Sequence, residues 1–167
     1  PDEALEGLDL SSWRAAFNGA EPVSPGTLAR FARRFAPCGF RPEAMMPVYG
    51  LAECSVALCF PPVGRGPRVD RVARGPFQTE GRAQAAAPGD ATALEFASAG
   101  HELAEHEVRI LDDAGTPVAE RRVGRLVFRG PSMTAGYYRQ PEATAAITLP
   151  GGWLDSFMSG AAARGYR

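Results

Sequence analysis

The chain contains no lysine; all 18 of its basic residues are arginine. That absence excludes Schiff-base chemistry, a phosphate-loop lysine and a lysine that positions a carboxylate. Histidine is almost as scarce, with His101 and His106 the only two. Both sit in an alternating strand pattern, where packing or surface positions are expected rather than catalysis. Three cysteines, Cys38, Cys54 and Cys59, are odd in number and irregular in spacing. They form no disulfide framework, and a reducing cytosol is the expected compartment. Cys54 and Cys59 lack the two-residue gap of a zinc knuckle, and neither histidine is near them in sequence. An excess of charge of one sign is also missing. The net charge of −1 supplies no global field for nucleic acid or anionic membrane. Basic residues are not interleaved with aromatics, so nucleic-acid binding is not expected. No apolar run reaches transmembrane length. The opening PDEALEG has no basic region leading into an apolar one, so it does not read as a secretory signal. The chain also opens without Met, and the expectation is an internal piece of a longer protein.

What is present divides into four stretches. Residues 1–60 read as an α/β part. LDLSSWRAAF (8–17) is a candidate buried strand, broken by FNGAEPV with Asn18, Gly19 and Pro22. Ser24 followed by Pro25 is a hydroxyl cap and a first-turn proline. Leu28, Phe31, Ala32 and Phe35 then repeat at helical spacing, with Arg30, Arg33 and Arg34 on the other face, a solvated one. Pro37 and Gly39 close that helix, expected over 25–36. AMMPVYG (44–50) reads as a second buried strand, and LAECSVALCF (51–60) as a helical turn followed by a strand. Strand, helix, strand in this order predicts a right-handed parallel crossover. Ligands in such folds collect at the C-terminal ends of the strands, which is where FNGAEPV and VYGLAE would lie.

Residues 61–92 are rich in Gly, Pro, Arg and Ala and lose all periodicity, so an irregular insertion is expected. From 93 to 139 the period becomes two. LEFASAG, HEVRILDD and VGRLVFRG alternate, with Val108, Ile110, Leu111, Leu126 and Val127 on the apolar side and DDAGTP as turn chemistry. A small antiparallel β-subdomain is expected there. Residues 140–167 hold a short helix, PEATAAI (141–147), and a tail of little pattern.

Three segments carry the chemistry: FNGAEPV (17–23), VYGLAE (48–53) and VGRLVFRGPSMTAGYYRQPEAT (123–144). Each has an ordinary reading. Tyr49 could be a core aromatic, Gly19 and Gly50 turn glycines, and Glu53 a carboxylate at a helix N-terminus. Together and in this order they resemble the adenylate-forming superfamily of acyl-CoA synthetases, fatty acyl-AMP ligases, luciferases and peptide-synthetase adenylation domains. NGAEPV with YGLAE is most similar to the fatty acyl-AMP ligase branch. The resemblance spans roughly residues 8–155. It implies an α/β fold that is part of the large N-terminal domain of such an enzyme: a parallel crossover unit followed by the small antiparallel β-subdomain.

The resemblance also implies roles. Tyr49 would stack on adenine. Gly19 and Gly50 would let the backbone approach purine and phosphates. Glu21 and Pro22 would wall the adenine pocket, and Asn18, Ala20, Leu51 and Ala52 complete the two nucleotide motifs. Ala52 stands where the superfamily commonly has a phosphate-contacting Thr. Glu53 would be the catalytic carboxylate that helps hold Mg²⁺ beside ATP. The implied substrates are ATP and a fatty acid, giving an acyl-adenylate and then a thioester on an acyl carrier protein or CoA. Residues 61–92 match the place where fatty acyl-AMP ligases carry an insertion thought to hinder CoA; a loop with no gating role is the other reading. The family's Gly/Ser/Thr-rich loop with Lys, and its C-terminal-domain lysine, have no counterpart here. Relatives usually continue from a segment like GGWLDS into a Gly-Asp that grips the ribose, whereas here Phe157 and Met158 follow Ser156. Asp155 is two residues early and is not expected to substitute; an artificial chain end, a frameshift or a decayed gene is the expected origin of that tail. The isolated chain is therefore expected to be inactive. An acyl-CoA synthetase piece and a non-catalytic binding module are the rival readings.

Overall fold

The computed structural model describes residues 2–156 and the backbone of 164–165. It divides into two compact units. Unit 1 comprises residues 1–49, 59–70 and 95–101, and unit 2 comprises 50–58, 71–94 and 102–167.

Unit 1 is built on the predicted strand–helix–strand. β1 (Ala16–Asn18) and β2 (Met45–Pro47) pair in parallel, with Ala16 opposite Met45 and Asn18 opposite Pro47. The first strand is shorter than expected, because residues 8–14 lie outside it and Leu8 and Trp13 are each 39% exposed. Between the strands runs α1 (Pro25–Phe35), where the sequence placed it. Ser24 Oγ accepts from the Thr27 amide at 3.3 Å, and Gly39 closes the following 3-10 turn at a φ of 82°. Leu28 turns inward against Ala16, Phe40, Ala44 and Met45. At 4% exposure it contributes on the order of 1.5–3 kcal/mol. Trp13, Phe31 and Phe40 add edge-to-face contacts with centroids 5.2–6.3 Å apart. Arg30, Arg33 and Arg34 are exposed, as the helical pattern requires.

Unit 2 centres on β7 (Glu107–Leu111) and β8 (Gly124–Arg129), which run antiparallel with Glu107 opposite Arg129 and Leu111 opposite Arg125. The other edge of β8 takes β10 (Trp153–Asp155), which carries β9 (Thr148–Leu149), and β11 (Arg164–Gly165). The order is β11-β8-β10-β9, with β7 on β8. Two expectations change here. β3 (Cys59–Phe60), β5 (Leu94–Ala97) and β6 (His101–Glu102) do not join this sheet, although β5 alternates in sequence like β7 and β8. Nor is the sheet apolar on one side only: Ile110 and Leu111, and Leu126, Val127 and Phe128, are all buried. A strand covered on both faces reads as a continuous apolar run rather than an alternation. The tail, which showed little pattern, supplies two of the sheet's strands, and Leu154 and Trp153 are buried.

Residues 61–92 are not uniformly irregular. They contain β4 (Val69–Val72) and α2 (Arg74–Glu80), which Gly81 ends at a φ of 61°. Within unit 2 the stretch is tied down by backbone bonds from Ala73 to the Gln84 carbonyl (2.8 Å) and from Ala83 to the Arg121 carbonyl (2.8 Å). Val72 and Ala83 are both 0% exposed. Two small apolar side chains anchor a segment whose remaining composition gives no periodic signal. α3 (Pro141–Ile147) falls where PEATAAI predicted it. Among the described residues no helix is long and apolar enough to cross a membrane.

Candidate functional site

In unit 1 the loops after β1 and β2 leave parallel, hydrogen-bonded neighbours at the same end. The Asn18 carbonyl accepts from the Val48 amide at 2.9 Å. A Cβ on Gly19 would stand 2.9 Å from both Val48 Cγ2 and Val48 O, so only glycine permits the two loops to approach this closely. Ala20 has a φ of 66°, in the left-handed region that costs a residue with a Cβ about 1–2 kcal/mol. Strain of this kind concentrates at ligand-binding turns. Ala20, Glu21 and Pro22 are exposed. Tyr49 is half-buried, and its backbone exchanges bonds with Cys59: Tyr49 N to Cys59 O at 3.1 Å and Cys59 N to Tyr49 O at 2.8 Å. Beside it, the 63%-exposed Phe17 packs edge-on against Phe60 at 5.4 Å. The structure thus brings Asn18, Gly19 and Tyr49 to one end of a parallel strand pair, which suits a flat ligand approached by backbone.

Unit 2 holds the rest of the second motif, a tight coil. The Leu51 carbonyl accepts from both Cys54 N and Val56 N at 3.0 Å, and the Ala52 carbonyl from Ser55 N at 3.1 Å. Chain crosses chain so closely that a Cβ on Gly50 would fall 1.6 Å from the Val56 carbonyl oxygen. Ala52 is exposed and carries no hydroxyl in the superfamily's Thr position. Glu53 is only 7% exposed. Its carbonyl accepts from Thr134 N at 2.8 Å, and its Oε1 accepts a hydrogen bond from the Tyr137 hydroxyl. That bond, with burial and the charge of Glu53, pushes the phenol up to about 12.

Could these residues hold the groups the motifs imply? Among the described residues no group of three or more His, Cys, Asp and Glu is placed to hold a metal. A dedicated cage is therefore not built. A single oriented carboxylate, Oε1 fixed by Tyr137 and Oε2 left without a described partner, fits a hard cation held mainly by phosphates and water. At Gly19 the space a Cβ would take is held by Val48, and at Gly50 by the Val56 carbonyl. Among the described residues the chain builds no free-standing metal site.

Sequence reading missed Tyr137, Thr134, Ser132 and His106. His106 is buried, with hydrogen bonds on both ring nitrogens. The only available hint was that GPSMTAGYY belongs to the same three-segment pattern as YGLAE. Asp155 is buried in β10 and ion-paired with Arg125 at 3.2 Å, engaged inside the unit. Phe157 and Met158 lie outside the described residues.

The geometry of a parallel crossover followed by a five-stranded sheet, with glycine-lined loops and one oriented glutamate, can be set against known proteins. The model of the AMP-binding enzyme family matches residues 1–138. A putative acyl-CoA synthetase of Caulobacter vibrioides is 35% identical over 92% of this chain and 27% of its own length. A medium-chain-fatty-acid–[acyl-carrier-protein] ligase, TtuA, of Teredinibacter turnerae is 34% identical over 84% of this chain and 22% of its own. A solved structure from a study of fatty acyl-adenylate ligases of E. coli and L. pneumophila superposes with a TM-score of 0.86 at 38% identity, covering 93% of this chain and 28% of that one. The chain belongs to the AMP-binding enzyme family, whose members work on ATP or AMP. Within the adenylate-forming superfamily it sides with the fatty acyl-AMP ligase branch. It spans about a quarter of the length of the relatives it matches.

Proposed function

We propose that the chain supplies part of the ATP site of a ligase that activates a medium- or long-chain fatty acid in the cytosol. In that reaction a fatty-acid carboxylate oxygen bonds to the α-phosphorus of ATP and pyrophosphate leaves. The acyl group of the resulting adenylate then passes to a carrier-protein thiol, and AMP is released. Asn18, Gly19, Ala20, Glu21, Pro22, Tyr49, Gly50, Leu51 and Ala52 serve the nucleotide, Tyr49 by stacking and the glycines by close backbone approach. Glu53 is the carboxylate for Mg²⁺, which when bound neutralises charge on the phosphates. The observation that carries this reading is the glycine-tight junction of the two loops at the C-terminal ends of β1 and β2. A carrier protein is favoured over CoA as acceptor by the place of residues 61–92 and by the printed activity of TtuA.

The test grafts this segment into the matching stretch of a full-length fatty acyl-AMP ligase and measures ATP–pyrophosphate exchange. Losing a base stack worth about 1–3 kcal/mol should make Tyr49→Ala raise the KM for ATP by roughly 5- to 160-fold. Glu53→Gln should lower kcat and raise the Mg²⁺ requirement. The 167-residue chain alone, without lysine, should give no exchange. Exchange indifferent to both substitutions would defeat the reading. Labelled acyl groups appearing on CoA rather than on the carrier's phosphopantetheine would defeat the acceptor assignment.

A further inference from the structure

Behind Glu53 lies a polar cluster that nucleotide binding does not use. Cys54 is 0% exposed, with Sγ 3.2 Å from Ser132 Oγ and 3.2 Å from the Ala57 carbonyl. Ser132 Oγ sits 2.7 Å from His106 Nε2 and 3.3 Å from the Cys54 carbonyl. His106 Nδ1 is 2.9 Å from the Ala104 carbonyl. A carbonyl oxygen only accepts, so Nδ1 carries a proton. In the neutral imidazole Nε2 is then an acceptor and takes the Ser132 hydroxyl proton. The one Ser132 proton is thereby committed to Nε2, so the Cys54 carbonyl is not its partner, and the one Cys54 thiol proton is shared between the Ser132 oxygen and the Ala57 carbonyl, both at 3.2 Å. Ser55 Oγ donates to the Ser132 carbonyl at 3.0 Å.

Cysteine, serine and histidine in a row resemble a nucleophile with its base, but a thiol with no exposed surface cannot meet a substrate. The bonds converge instead on the turn that carries Glu53. That turn needs outside support. Ser55 and Val56 are consecutive non-glycine residues at φ 49° and 76°. Such backbone persists only where its surroundings over-determine it. Gly130 is what admits the imidazole, since a Cβ there would stand 2.2 Å from His106 Cδ2.

We propose that His106 and Ser132 are positioning residues for Glu53: they lock the backbone of the 53–55 turn, while Thr134 N and the Tyr137 hydroxyl hold the Glu53 carbonyl and carboxylate. The proposal rests on Glu53 being the ATP-site carboxylate. It assigns the GPSMTAGY segment the task of aiming that carboxylate, and His106 the task of fixing the serine rotamer within it.

Amide hydrogen exchange of the 167-residue chain, read on peptides covering residues 50–58, tests the tether without nucleotide. His106→Leu should speed exchange there by up to about tenfold, the effect of losing one buried hydrogen bond. His106→Gln, whose amide oxygen can take the serine proton, should restore most of the protection. Ser132→Ala should reproduce His106→Leu, and the double variant should be no worse than either single one. Gly130→Ala, with a methyl in the imidazole's place, should loosen the same peptides. Unchanged exchange in His106→Leu, equal behaviour of the Leu and Gln variants, or loosening spread evenly over the chain would overturn the assignment. If His106→Leu does not fold, Ser132→Ala, which removes one oxygen, decides. A tether that fails this test leaves the ATP reading standing. An intact tether in a graft that shows no ATP–pyrophosphate exchange defeats that reading and leaves the tether.

Discussion

Replacing Tyr137 by Phe keeps the ring and removes one oxygen, and the structure says what that oxygen does. It donates to the carboxylate of Glu53, a residue 7% exposed. Hydrogen bonds to charged groups contribute roughly 1.5–3 kcal/mol. The raised pKa of the phenol has the same bond as its first cause, followed by burial and the charge of Glu53. The rise from 10.0 to about 12 corresponds to roughly 2.7 kcal/mol at 1.36 kcal/mol per unit. Water reaching the half-buried phenol screens this to about 1–2 kcal/mol. The sign follows from linkage. The folded pKa is raised, so the stabilisation is complete below about pH 10 and is lost as pH climbs through about 12. No lysine titrates across that window, because the chain has none. The assay is urea unfolding at pH 8 and at intervals up to pH 12, paired with ultraviolet titration of the four tyrosines. Tyr137→Phe should be less stable than the parent by about 1–2 kcal/mol at pH 8, and the difference should shrink towards pH 12. In the parent, one phenol should ionise well after the others. Equal stability at pH 8, or four phenols ionising together in the parent, would refute the pairing with Glu53.

Other outcomes follow from single contacts. Gly50→Ala places a methyl 1.6 Å from the Val56 carbonyl oxygen, and backbone cannot yield as a side chain can. It should cost more than about 3 kcal/mol and show as loss of a cooperative melt. Phe128→Ala empties a fully buried site in β8 and should cost about 3–5 kcal/mol in denaturant unfolding. Ser24→Ala removes a cap bond that is long, at 3.3 Å. Its cost should sit near the low end of the usual range, about 0.5–1 kcal/mol, read as a small drop in melting temperature.

Some of this protein could be read from neighbouring residues alone. Ser24-Pro25 and the spacing of Leu28, Phe31 and Phe35 determined α1, and PEATAAI determined α3, because capping and helical periodicity act within a few residues. The motifs FNGAEP and VYGLAE identified the family, and the parallel register of β1 and β2 sets those two loops at one end of a strand pair. Tertiary structure alone decided the rest. Glu53 meets Tyr137 across 84 positions, and Cys54 meets Ser132 across 78, and no local pattern encodes contacts so distant. The sequence left His106 at a surface or a packing position, and the structure buries it against Gly130. β5 and β7 both alternate in sequence, yet only β7 joins β8, since strand pairing is settled by which apolar faces can be buried together. Residues 61–92 gained a strand and a helix from two buried anchors, Val72 and Ala83, whose burial the surrounding Gly, Pro and Arg conceal. Local chemistry chose the helices and the family, and long-range burial chose the partners of Glu53.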